Sequence, residues 1–225
     1  MRAALALMAL FLLTGCNVVL TKAPLFTAAD EAGAPPMKAG VWAFEDSDCT
    51  FDATKPMTAW PDCAGGGVVM PGQIAGHDKK DGKDVWQSLP FILATGTPRV
   101  AQVMFEPTMS DLTPGTKPGE AKQPPYGYAG VKPTAHDTAG AITAITYWVV
   151  QCGPPPPPAK NPKDTMKNLG THHPLPGMVM KPGDPVCTTT SKVALRGAAK
   201  ASEAWADKLM HAHWVRAAGL GDLAP

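Results

Sequence analysis

No familiar catalytic signature occurs in this 225-residue chain. The nucleophile elbow Gly-x-Ser-x-Gly, the Ser-x-x-Lys pair and His-Glu-x-x-His are all absent, as are a phosphate-binding loop and a dinucleotide fingerprint. Serine is scarce, at five residues, so a Ser–His–Asp triad has little to draw on. There is no Cys-x-x-Cys pair, which removes the usual spacing of a structural zinc site. An excess of one charge is also missing: 20 basic residues face 19 acidic ones, with no long block of either. Without a positive stripe, the chain lacks the electrostatic footprint of a nucleic-acid binder or of polybasic membrane attachment. Long apolar runs are missing as well. Residues 3–13 form an uncharged apolar stretch, but it is shorter than the ~20 residues that a bilayer-spanning helix needs.

What the chain has in excess is proline (25) and glycine (22), together more than a fifth of its residues. That composition limits helix and favours strands joined by turns and long loops. The length suits one domain with a real core.

Residues 1–15 have the order of a secretory leader: Arg2 as positive n-region, residues 3–13 as h-region, then small residues before Cys16. The ending Leu13-Thr14-Gly15-Cys16 resembles the lipobox of bacterial lipoproteins. The resemblance implies cleavage before Cys16, diacylation of that cysteine, and a membrane anchor that makes the bilayer the first expected partner. Losing Arg2 leaves 19 basic and 19 acidic residues. Asn17 is not the aspartate associated with inner-membrane retention in enteric lipoproteins, which points to the periplasmic face of the outer membrane. Residues 16–39 then read as lipidated cysteine and tether, with Leu25 and Phe26 able to dock. Residues 40–218 read as a single β-rich domain, and 219–225 as a tail that frays. Two further stretches, Gly40-Val41-Trp42 with the Trp60-Pro61-Asp62-Cys63 loop and Gln151-Cys152-Gly153 before the proline run, resemble uncharacterised proteobacterial lipoproteins. That likeness assigns no catalytic residue. An early Gly-x-Trp also occurs in lipocalins, but three residues bring no ligand cavity with them.

The cysteine count fits export. Beyond Cys16 there remain Cys49, Cys63, Cys152 and Cys187, an even number suited to an oxidising compartment. Of the three possible pairings, Cys49–Cys63 and Cys152–Cys187 are favoured, because each brackets a proline-rich loop and closes a short segment.

Pattern places strands at residues 40–44, 68–70, 85–93, 99–105, 126–131 and 141–151, the last being the strongest. Residues 77–84 read as a charged turn with Asp81-Gly82 as a hairpin signal. Residues 106–125 and 159–186 read as loop, with a short strand at 178–180. The five prolines at 154–158 impose polyproline II and read as a stiff strap. Residues 191–210 form the expected helix, capped by Thr190 or Ser191, with Val193, Leu195, Ala198, Ser202, Trp205 and Leu209 on its apolar face. Residues 211–216 alternate as a last strand. The expected class is α+β and mostly antiparallel: a sheet or partly closed barrel of about six to eight strands, one C-terminal helix packed on it, and long Pro-rich loops.

His211 and His213 share one face of such a strand and form a half-site for a transition metal, to which His172 and His173 would add. A solvated strand face and a polar loop is the simpler reading. His77-Asp78 and His136-Asp137 fit turn chemistry. The six tryptophans read as core. No catalytic, metal or cofactor-binding residue is assigned, and no cofactor is expected. The expected role is a non-catalytic one for a lipid-anchored cell-envelope protein, binding or organising an envelope protein partner. The alternative is a carrier or sensor for a small apolar ligand, which requires an enclosed cavity lined by Trp and Tyr. A His-dependent metal protein or hydrolase requires the histidines to converge.

Overall fold

The computed structural model describes residues 17–45, 49–61, 63–80, 83–104, 126–156, 171, 173–181, 186–206, 209–219 and 222. Its strands are β1 (Val18–Thr21), β2 (Gly40–Glu45), β3 (Ala64–Met70), β4 (Gln73–Lys80), β5 (Lys83–Ala94) and β6 (Arg99–Met104). They continue with β7 (Tyr126–His136), β8 (Ile142–Val149), β9 (Val179–Met180), β10 (Val186–Thr188) and, after helix α1 (Lys192–Ser202), β11 (Met210–Arg216). From β2 to β8 each strand pairs antiparallel with the next. β11 fits between β8 and β2 and closes the ring at eight strands. The expected class therefore holds, and closure is complete rather than partial, leaving the ring without a free edge.

Alternation divides each strand between the barrel interior and its outside. In β2, Trp42 and Phe44 point inward, whereas Val41 and Ala43 point outward into a second apolar cluster. The outer residues are buried because two covers lie on the barrel. The Cys49–Cys63 loop lays Met57 and Trp60 over β2 and β3, and Gly66 makes that approach possible. A Cβ on Gly66 would stand 2.7 Å from the Met57 sulfur. On the other side, α1 packs Leu195, Ala198 and Ala199 with Val100, Tyr128 and Val150. Trp148 is held between helix and sheet: its Nε1 donates to the Ala199 carbonyl at 2.8 Å, and a Cβ on Gly130 would lie 2.4 Å from its ring. Both disulfides form as paired above, with Cα–Cα distances of 5.7 and 5.8 Å.

Residues 17–39 are not a tether. Asn17 is buried and donates from Nδ2 to the Gly153 carbonyl at 2.7 Å. β1 joins the sheet, and Phe26 is buried beside the amide of Gln102, which bonds the backbone of Leu25 and Phe26. The segment then crosses one end of the barrel, where Met37 bridges to Ile142. Val18, Val19 and Phe26 bring enough apolar surface to dock a stretch whose remaining residues look like a linker. The charged residues 77–80 belong to β4, whose Lys80 pairs with Lys83. The Asp81-Gly82 turn, residues 105–125 and the end of the proline run lie outside the described residues.

The helix is shorter than its periodicity suggests. Ser191 caps it by accepting from the Ala194 N–H, and a 3₁₀ turn at Glu203–Trp205 follows. Ser202 ends α1 by accepting from the Gln151 N–H and donating to the Ala198 carbonyl, which docks the helix end on the end of β8. The buried stripe is Leu195, Ala198, Ala199 and Ser202; Val193 is instead 80% exposed.

The tail is pinned at one point. Asp222 is buried and forks with the Arg216 guanidinium, one arm at 2.6 Å. Arg216 and the Gly219 N–H hold the Asp222 carboxyl below the usual carboxylate range, against the opposing effect of burial. A lowered folded pKa gives stability that is complete above the ordinary value of ~4 and is lost as pH falls through the folded one. Asp222→Asn should therefore cost about 1.5–3 kcal/mol at neutral pH and flatten the acid limb of the stability–pH curve. Urea titrations of both proteins between pH 3 and 7 measure this, and a difference independent of pH would refute it.

Candidate functional site

One end of the barrel is plugged. Trp42, Leu93 and Ile142 fill it, and residues 35–38 run across it. Trp42 Nε1 donates to the Lys38 carbonyl at 2.8 Å. Buried Arg99 donates to the carbonyls of Pro35 at 2.6 Å and Leu93 at 2.8 Å. Burial lowers the Arg99 pKa, and Glu31 opposes that shift.

Above the plug the interior is hollow, with a cavity of about 70 Å³. Met37 forms its floor, Phe44, Ile74 and Phe91 one side, and Val131, Ile145 and Tyr147 the other. The hollow exists because small residues meet: Ala101 on β6 and Ala129 on β7 are direct partners, and both line it. Facing them, Phe44 lies edge-on to Tyr147 at 6.2 Å and leans over Gly67, where a Cβ would come within 3.1 Å of its ring. The cavity wall is wholly apolar, so a trapped water would find no hydrogen-bond partner there. An apolar cavity of ~150 Å³ accepts benzene. This one takes a slimmer occupant, or a larger one if Met37 or Met210 swings aside, as unbranched thioether side chains readily do.

Gln151 lies just past Val149, and by alternation on the same face. Its Oε1 is buried and has no hydrogen-bond partner among the described residues. Buried Tyr128 is outside the ring in the helix-side cluster. Burial pushes its phenol up, and its 2.5 Å contact with the Thr21 hydroxyl opposes the shift.

The histidines stay apart from this cavity. His211 and His213 flank inward-facing Ala212 and share the outer face of β11, and His211 Nδ1 lies 3.2 Å from the Thr146 hydroxyl. His136 and His173 are exposed, and His172 is outside the described residues. No group of three or more His, Cys, Asp or Glu able to hold a metal occurs among the described residues. Asp137 accepts from the N–H groups of Ala139 and Ala141, so its pairing with His136 in sequence is turn chemistry. Trp42, Trp60 and Trp148 are core residues. Of the Trp and Tyr side chains expected around a cavity, Tyr147 lines this one, and phenylalanine, methionine and aliphatic residues supply the rest.

Cys16, the proposed lipidation site, lies outside the described residues, immediately before buried Asn17. No helix among the described residues is long and apolar enough to cross a membrane. Comparison with protein-family models, with curated proteins and with solved structures gives no match, so the site is read from its own geometry.

Proposed function

We propose that this chain is a lipid-anchored cell-envelope protein, held through Cys16 on the periplasmic face of the outer membrane, whose barrel binds a small, slim apolar molecule without acting on it chemically. The observation that supports the binding role is the wholly apolar cavity inside a closed eight-stranded ring. Barrels of this size either fill their interior with side chains or hold one small ligand. Here paired alanines leave space where larger residues would close it. No polar atom reaches the wall, the Tyr147 phenol included, which favours binding over catalysis. A role beside an envelope protein partner would make no use of the hollow.

Linear alkanes and alkanols of graded length provide the test. A chain that fits should raise unfolding stability by about 2.7 kcal/mol at one hundred times its Kd. Ala129→Leu fills the cavity, and should add about 0.5–2 kcal/mol to the empty protein while abolishing the ligand-induced rise. A wild-type protein indifferent to every chain length, or a filled variant that responds equally, would overturn the reading. Loss of fatty-acid labelling in Cys16→Ser tests the anchor separately.

A further inference from the structure

The inner wall of the barrel continues past its mouth onto a sheet face that is exposed at its far edge. β8 accompanies β7 as far as the pair Val149 and Ala129; beyond it β1 takes over, with Leu20 opposite Gly127. Side chains of directly paired residues share a face. Leu20, and by alternation Val18, therefore share the face of Ala129 and Val131, which line the cavity. Register carries this face outward: Val18 pairs with Val186 on β10, and Thr188 with Val179 on β9. The opposite face of the same strands, with Val19, Cys187 and Met180, packs into the core beside α1. The face leading from the cavity is thus four aliphatic residues and one threonine: Val18 is buried, Leu20 and Val186 are half-buried, Thr188 is exposed, and Val179 on the edge strand is 65% exposed. A sheet with one face on the core and the other on solvent ordinarily presents polar residues outward. This one is apolar on both faces.

What covers the outer face is indicated by the chain leading into β1. Asn17 is fixed: its carbonyl accepts from the Cys152 N–H at 2.9 Å, and Nδ2 donates to Gly153. Cys16 is one peptide bond away, about 3.8 Å from Cα to Cα. β9 is two strand spacings from β1, about 10 Å. A diacylated Cys16 therefore reaches the membrane with no spacer between the anchor and this face. Exposed Lys181, next to Met180, suits an anionic headgroup layer.

We propose that the outer face of β10 and β9 rests on the lipid bilayer and, with Leu20 of β1, forms the apolar path between bilayer and barrel. The proposal rests on acylation of Cys16, and its test separates the two. The full-length protein is purified from membranes and its mass measured. With Cys16 acylated and the other four cysteines paired, Val179→Cys offers one free thiol for a fluorophore. In phosphatidylethanolamine–phosphatidylglycerol vesicles, lipid-borne quencher should reduce emission from position 179 roughly two-fold or more. The same label at Thr138→Cys, in the exposed turn at the other end of β7, should be unaffected. Equally weak quenching at both positions of an acylated protein overturns the bilayer-facing sheet and leaves the anchor standing. A mass without the diacylglyceryl group overturns the anchor and this proposal together.

Discussion

Trp42→Ala should lower the stability of the barrel by about 3–5 kcal/mol, among the largest effects of any single substitution in it. Trp42 is fully buried on the inner side of β2, where it pairs with Gly67 on one side and with Trp214 on the other. Truncation removes a large apolar group from the layer that closes the barrel, and the ring cannot collapse onto the gap without breaking its own ladder. It also strips the Lys38 carbonyl of its donor, which loosens the segment forming the plug. For a chain of this length the loss corresponds to roughly 10 °C in Tm. Trp42→Phe restores most of the volume but not the hydrogen bond, and should cost about 1–2 kcal/mol. Thermal and urea unfolding of the two variants measure the difference. A loss below about 1 kcal/mol for the alanine would place Trp42 outside the core and undo the assignment of inner and outer faces.

Much of the architecture was legible because β-branched and aromatic runs are local signals. Residues 40–44, the pair 85–93 and 99–104, and the alternation at 211–216 are all strands. The alternation of large and small residues from Tyr126 to Val131 also had its structural meaning: Tyr126 and Tyr128 pack outside, while Ala129 and Val131 face the cavity. Other features depend on partners far away in the chain. Residues 17–39 resemble a linker until Gln102 and Gly153 are in place to bind them. The helix overran because the helical period continues past Ser202, although tertiary contacts end it there. The cavity had no local signature at all. It arises from Ala101 facing Ala129, and register between strands is set by the closed ring rather than by either strand alone.

Replacing Cys152 and Cys187 together with alanine should cost about 4 kcal/mol. Their sequence separation of 35 sets the entropy that the cross-link removes from the unfolded chain, about 3.8 kcal/mol at 25 °C. Cys49–Cys63, with a separation of 14, should contribute about 3 kcal/mol by the same relation. The two bonds also differ in what they hold. Cys49–Cys63 closes a loop laid over the outside of β2 and β3. Cys152 and Cys187 are both buried in the helix-side cluster, where the Cys187 N–H also donates to the Cys152 sulfur at 3.1 Å. Cutting that bond releases β10 and β9 first, and with them the partner of β1 and the surface proposed to meet the bilayer. The lipid-borne quenching at position 179 should therefore disappear in the Cys152→Ala/Cys187→Ala protein at temperatures where the barrel is still folded. Reducing both disulfides removes about 7 kcal/mol in total, comparable with the 5–15 kcal/mol that stabilises a typical domain. The chain should accordingly fold stably only under oxidising conditions. Thermal unfolding of oxidised, reduced and doubly substituted proteins tests the order, with Cys152–Cys187 the larger loss. If the fully reduced protein unfolds at the same temperature as the oxidised one, the disulfides do not hold the fold.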